Sequence, residues 1–118
     1  MSHDRPAPLT ARDWHVLMAL AEEDVHGYGI MKAVERDSGG SVSAEIGSLY
    51  RILDRLMAEG LVRHADEPED APVETRGRPR RYYGLTEEGR ATLRKEALRL
   101  RDALALAQER HLLPGSTR

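Results

Sequence analysis

Cysteine and phenylalanine are absent from this chain of 118 residues, and only 4% of its residues are aromatic. Without cysteine, the chain has no disulfide framework, no thiolate metal site and no cysteine nucleophile. No apolar run approaches the roughly 18 residues of a membrane-spanning helix. The N-terminal sequence MSHDRPAPLT lacks the apolar stretch of a signal peptide, so we expect a cytoplasmic location. The core must rest on Leu, Val, Ile, Ala and Met, a composition that favours helices.

Charged residues make up 32% of the chain, yet the net charge is only −2. That net value argues against a nucleic-acid partner, whereas the distribution of charge argues for one. Residues 1–74 contain 7 basic and 15 acidic side chains, and residues 75–118 contain 11 basic and 5 acidic ones. The C-terminal part can therefore present a basic patch to DNA although the whole chain is slightly acidic.

Capping signals predict where the first helix begins. After a loose arm over residues 1–8, Thr10 starts the helix, and Asp13 occupies the second position of a capping box. The apolar residues of this helix form two stripes, Trp14, Leu17, Met18 and Ala21 on one and Val16 and Leu20 on the other. Two stripes are more than one core face needs, which suggests a second buried surface.

The second helix is predicted from about Tyr28 to Ser38, with His26 at its start. Gly39-Gly40 ends it, since glycine readily adopts the left-handed conformation of a C-cap. Either Ser41 or Ser43 could cap the helix that follows.

The third helix shows the clearest period in the chain, and Gly60 ends it. Its predicted core face consists of Ile46, Leu49, Leu53, Leu56 and Met57. Its opposite side carries Gly47, Ser48, Tyr50, Arg51, Asp54 and Arg55.

Two short strands are predicted next, from Leu61 to Ala65 and from Arg80 to Leu85. The loop between them, residues 66–79, is rich in proline and acidic residues and forms the tip of a hairpin. Tyr82 and Tyr83 alternate faces in the second strand, so one of them is core, and the pattern leaves open which.

A long last helix begins at the cap Thr86 and extends to about Leu112. Leu93, Ala97, Leu100 and Leu104 are spaced 4, 3 and 4 apart, which is the seam of a helix that packs on a partner. The predicted fold is mainly α with a small β-hairpin, a winged helix-turn-helix followed by a dimerisation helix. The corresponding boundaries are 1–8 for the arm, 9–85 for the winged helix, 86–113 for the last helix and 114–118 for the tail.

Three segments resemble the PadR family of transcriptional regulators. They are HGYGIMKAVE (His26 to Glu35), GSLYRILDRLMAEGLV (Gly47 to Val62) and GRPRRYYGLTEEGR (Gly77 to Arg90). The resemblance covers about residues 9–112. It implies a dimeric bacterial repressor that binds inverted repeats in DNA and that a small apolar effector can release. The single C-terminal helix resembles the short subfamily, and it lacks the aromatic residues that form a drug pore in some members.

The expected DNA contacts lie on the third helix, the start of the second helix and the hairpin: Tyr28, Ser43, Gly47, Ser48, Tyr50, Arg51, Arg55, Arg76, Arg78 and Arg80. Ser48 and Arg51 are candidates for reading bases, and the hairpin arginines for contacting phosphates. Three alternatives stay open: Tyr50 half-buried at a helix boundary, Ser48 acting only in the helix terminus, and Arg51 paired with Glu45 or Asp54.

Dimerisation is expected through the seam of the last helix and through Trp14. Alternatively, Trp14 forms the wall of an effector pocket. No cofactor fingerprint, nucleophile–base pair or metal-site spacing is present, so we expect neither an enzyme nor a bound metal. The rival interpretations are a winged-helix module for protein interaction and a MarR-like repressor.

Overall fold

The computed structural model describes residues 9–69 and 81–114. The described residues form four helices and a small three-stranded sheet. The last helix packs on the sheet and on the first helix near its start, and its later turns are exposed. In chain order the elements are α1 (Ala11–Ala19), β1 (Val25–His26), α2 (Gly27–Asp37), α3 (Ile46–Ala58), β2 (Val62–Ala65), β3 (Tyr82–Leu85) and α4 (Glu87–Glu109). The predicted winged helix-turn-helix with a C-terminal helix is confirmed.

Side-chain caps define the first turn of three helices. Thr10 Oγ1 accepts from the Asp13 N–H at 3.0 Å, and Thr86 Oγ1 accepts from the Gly89 N–H at 2.9 Å. His26 caps α2, because its Nδ1 accepts from the Gly29 N–H at 3.1 Å. Each cap satisfies a backbone donor that the helix itself leaves without a partner.

The sheet has the strand order β1-β3-β2, and both pairings are antiparallel. Val62 pairs with Leu85 at one end of the β2–β3 ladder, and Val25 pairs with Tyr83 across β1 and β3. The strand β1 is absent from the sequence prediction, since two residues are too few to show an alternating pattern.

The core lies between α1, α2, α3 and the inner face of the sheet. Its fully buried side chains include Val16, Leu17, Ile30, Val34, Leu49, Leu53, Leu56 and Tyr83. Two residues expected on core faces lie outside it, since Met18 and Ile46 are each 41% exposed.

The central position of β3 explains why both tyrosines are buried. Tyr83 belongs to the core cluster, while the Tyr82 ring meets the His26 ring edge-on at 5.4 Å. The prediction of one core tyrosine was therefore too narrow, because residues from β1 cover the second face.

The predicted cap of α3 was wrong. The N-cap position is Glu45, and no side chain accepts a hydrogen bond there. Ser41 Oγ instead donates to the carbonyl of Ser38 at 2.8 Å within the preceding turn, and Ser43 is exposed.

The base of α4 is held against the winged helix by polar contacts. Thr86 Oγ1 donates to the carbonyl of Gly60 at 2.6 Å, and Arg90 Nη2 donates to the carbonyl of Ala21 at 2.9 Å. A Cβ on Gly89 would overlap the carbonyl oxygen of Leu61, so this position requires glycine. The helix ends at Glu109, three residues before the predicted end.

Candidate nucleic-acid interface

The first turn of α3 is open on its outer side. Glu45 provides no side-chain cap, and a Cβ added to Gly47 would meet nothing within 4 Å. The first N–H groups of a helix have no partner within the helix, and together with the helix dipole they favour an anion. This end of α3 therefore presents donors to whatever approaches it.

A cleft of about 340 Å³ follows the solvent side of α3 and opens toward the start of α1. Its lining residues are Arg12, Ser48, Arg51, Ile52 and Arg55. Arg51 Nη2 donates to Ser48 Oγ at 3.5 Å, a long bond that leaves most of the exposed guanidinium available. No acidic residue lines this cleft, which we call the arginine cleft. Arg12 is a lining residue that no sequence pattern singled out.

Arg55 is engaged within the protein. Its Nη2 donates to Asp13 Oδ1 at 2.7 Å, and its Nη1 donates to Glu59 Oε2 at 3.4 Å. The hydrogen bond to Asp13 raises the pKa of Arg55, so the guanidinium stays charged. The Asp13 side chain is 3% exposed, and its position in the sequence had suggested a capping box. Its N–H donates to the cap Thr10, and its carboxylate also joins α1 to α3.

Two predicted contact tyrosines occupy different environments. Tyr28 is exposed on the first turn of α2, with Lys32 Nζ 5.4 Å from the centre of its ring. Tyr50 is 37% exposed, and its ring lies 6.4 Å from that of Tyr83. The Tyr50 hydroxyl approaches Gly27 so closely that a Cβ there would lie 2.8 Å from it. The Tyr50 side chain is thus partly buried against Tyr83 and Gly27, and the rest of it is exposed.

The remaining predicted contacts divide into two groups. Ser43 and Gly47 are exposed and precede or begin α3, close to Ser48 in the chain. Arg76, Arg78 and Arg80 lie outside the described residues, as does most of the hairpin tip. Within the described part, the structure brings together the start of α3, Arg51 and Arg12.

Tyr83 of β3 is buried beneath α3, and this burial raises the pKa of its hydroxyl. His64 stacks at a tilt on the same ring, with centroids 5.3 Å apart. The strand beneath α3 is thus held by aromatic contacts from α3 and β2.

A second cleft, of about 400 Å³, lies between α1 and α4. Its lining residues are Trp14, Met18, Ala21, Arg90, Leu93, Arg94 and Ala97. We call it the α1–α4 cleft. It contains three of the predicted dimerisation residues, including the half-buried Trp14.

Beyond this cleft, α4 exposes apolar side chains. Leu98, Leu100, Leu104 and Leu106 are 39–50% exposed in the single chain. Glu96 is buried on the same helix, and Arg99 Nη2 donates to its Oε2 at 2.5 Å. The carboxylate raises the pKa of Arg99.

Within residues 9–69 and 81–114, no group of three or more His, Asp or Glu side chains could hold a metal ion. No described helix combines the length and apolar composition of a membrane span.

Residues 16–95 match the model of the transcriptional regulator PadR-like family. The chain belongs to this family. The match extends from α1 into α4, and it includes the arginine cleft apart from Arg12.

Solved structures of PadR-type regulators share the fold. One from Clostridium difficile is 23% identical, with a TM-score of 0.67 over 85% of this chain and 97% of that one. One from Bacillus cereus is 19% identical, with a TM-score of 0.68 over 86% and 92%. Bacillus subtilis PadR, solved in complex with operator DNA, is 22% identical, with a TM-score of 0.56 over 70% and 44%.

A curated relative is an uncharacterized 37.1 kDa protein in transposon TN4556 of Streptomyces fradiae. It is 44% identical over 82 residues, which are 70% of this chain and 21% of that protein. The PadR-like chain therefore spans about a fifth of that relative's length.

Proposed function

We propose that this PadR-like regulator is a repressor that binds an inverted-repeat operator as a homodimer. The observation that carries the proposal is the open first turn of α3 beside Arg51. An α-helix fits the major groove of DNA, and its N-terminal residues are the ones that reach base edges in helix-turn-helix proteins. The operator complex of Bacillus subtilis PadR supports DNA as the partner.

The roles of the contact residues follow from their exposure. Ser48 and Arg51 read base edges, because they lie one turn apart on the outer side of α3. The DNA backbone on either side of these bases is contacted by Tyr28, Ser43, Gly47 and Tyr50. Arg76, Arg78 and Arg80 supply further phosphate contacts from the hairpin, as their sequence predicts. Arg55 positions α3 through Asp13, and any DNA contact it makes competes with that pair.

The dimer forms through α4, with Trp14 and α1 contributing. The exposed leucines of α4 continue the seam of Leu93 and Ala97, and a partner helix would remove them from water. Two-fold symmetry then places two copies of α3 on one face of the duplex, about 34–36 Å apart.

An effector would act at the base of the dimer. The α1–α4 cleft combines Trp14, Met18 and Leu93 with two arginines at its rim, which suits a small apolar molecule. A ligand there would change the angle of α4, and with it the separation of the two reading helices.

The test is selection of bound duplexes from a random-sequence pool by the wild-type chain. We expect enrichment of an inverted repeat with half-sites about one helical turn apart. Arg51→Ala serves as the matched variant, and it should enrich a repeat that is degenerate at one symmetric pair of positions. A pool that stays random would contradict the proposal and favour a module for protein interaction.

A further inference from the structure

The arginine cleft indicates how the proposed DNA binding is achieved, and this inference rests on that proposed function. Three guanidinium groups line it, although the whole chain carries a net charge of −2. We propose that the arginine cleft binds one phosphate of the DNA backbone at the edge of the major groove, with Arg12 of α1 as its main ligand. Arg12 thereby becomes a binding residue outside the helix-turn-helix and the hairpin.

The position of α1 relative to α3 is the first argument. An α-helix with its side chains is about 10–12 Å wide, and the major groove is about 12 Å wide. Once α3 occupies the groove, a side chain that extends past its solvent side comes near the phosphates along the groove's edge. The first turn of α1 is held near α3, because Asp13 and Arg55 meet at 2.7 Å. Arg12 directly precedes Asp13 and lines the cleft.

The distribution of charge is the second argument. The positive charge of Arg55 is balanced within the protein by Asp13 and Glu59. Arg12 is exposed and forms no ion pair with a residue in 9–69 or 81–114. The free positive charge of the cleft therefore comes from Arg12 and Arg51.

The donor groups and the volume of the arginine cleft both fit a phosphate. A guanidinium offers a planar fork of donors that matches the oxygens of a phosphate. The open volume of about 340 Å³ accommodates a phosphodiester with its neighbouring sugars. A phosphate held by Arg12 would fix the register in which Arg51 meets the bases.

The experiment measures affinity for a mixed-sequence duplex over a series of salt concentrations, using the full chain. Such a duplex isolates phosphate contacts, because they are independent of sequence. Arg12→Ala should lower the slope of log affinity against log salt by about 0.9 per subunit, and Arg12→Lys should retain most of the slope. All variants should keep the unfolding midpoint of the wild type, since Arg12 is exposed.

Arg36→Ala is the matched control, because it removes an exposed arginine that pairs with Asp37 in the last turn of α2. A slope that is unchanged in Arg12→Ala, or that changes equally in Arg36→Ala, would overturn the inference. The proposed function would then still stand if the wild type binds with a steep salt dependence that Arg78→Ala reduces. A wild-type chain without salt-dependent binding would overturn both.

Discussion

The carboxylate of Asp13 and the guanidinium of Arg55, 42 residues apart in the chain, meet at 2.7 Å. Asp13 is buried, whereas the Arg55 side chain is 44% exposed. The pair connects the first turn of α1 to the last turn of α3, the helix that is proposed to enter DNA.

Removing this carboxylate should weaken the fold. We expect Asp13→Ala to lower the free energy of unfolding by about 1.5–3 kcal/mol, the range for a hydrogen bond to a charged group. The larger cost of breaking a fully buried pair does not apply, since water screens Arg55. Chemical denaturation measures the change. Asp102→Ala removes an exposed carboxylate 3.6 Å from Arg101 and should change stability by less than about 0.5 kcal/mol. Equal effects of the two substitutions would contradict a special role for Asp13.

Alkaline pH should destabilise the chain through Tyr83. Burial raises its pKa in the folded state above the ordinary value of 10.0. Its contribution to stability is therefore fully present below about pH 10, and it is lost as pH rises toward the folded-state pKa, because the unfolded chain ionises first. One such group changes the free energy of unfolding by at most about 1.4 kcal/mol per pH unit.

Denaturation at a series of alkaline pH values tests this expectation. Tyr83→Phe should reduce the alkaline loss of stability, whereas Tyr28→Phe, at an exposed position, should leave it as in the wild type. The opposite ranking of the two variants would show that Tyr83 is not the group responsible.

Two glycine substitutions should have opposite effects on stability. Gly89→Ala places a Cβ against the carbonyl oxygen of Leu61 and should cost about 1–3 kcal/mol, the range for overpacking. Gly47→Ala meets open space in the first turn of α3 and should add about 0.4–1 kcal/mol, mainly by restricting the unfolded chain. Thermal unfolding checks both signs.

Gly47→Ala also separates the effect on folding from the effect on DNA binding. If the start of α3 approaches the DNA backbone, Gly47→Ala should weaken binding although it stabilises the fold. A variant that is more stable and binds DNA as well as the wild type would remove Gly47 from the interface.

Substitutions in the exposed seam of α4 test whether this helix forms the dimer interface. Leu100 and Leu104 are 39% and 50% exposed in the single chain. Changing both to Glu would place unpaired charge in the proposed interface. We expect the mass measured by light scattering to fall from two chains to one, with the helical content retained. Arg101→Glu, at a strongly exposed position on the same helix, is the control for added charge. A monomeric wild type at micromolar concentration would rule out this assembly.

Arg51 and Arg78 should affect specificity differently. Arg51→Ala should weaken a selected operator by roughly 1–3 kcal/mol more than a mixed-sequence duplex, the range for one base contact. Arg78→Ala should weaken both duplexes equally and flatten the salt dependence, since phosphate contacts release counterions. The measurement is affinity for both duplexes at several salt concentrations. Equal loss on both duplexes for Arg51→Ala would assign that residue to the backbone.

The sequence by itself determined the four helices, the two longer strands and their order. Thr10 and Thr86 are recognisable as caps, Gly39 and Gly40 end α2 with φ values of 65° and 84°, and Leu49 and its neighbours show the period of α3. These signals are readable because each depends on residues within one or two helical turns. The same local motifs carried the resemblance to PadR regulators, which the family match confirms.

Only the tertiary structure decided which of these residues meet. Arg12 carries no local signal, and it shares one cleft with Arg51 because the Asp13–Arg55 pair holds the first turn of α1 near α3. Asp13 is a capping residue by sequence, and packing also brings its carboxylate to Arg55. Tyr82 is covered by His26, from a strand of two residues that no pattern reveals. In each case the partner lies tens of residues away in the chain, and only packing brings the two side chains to one place.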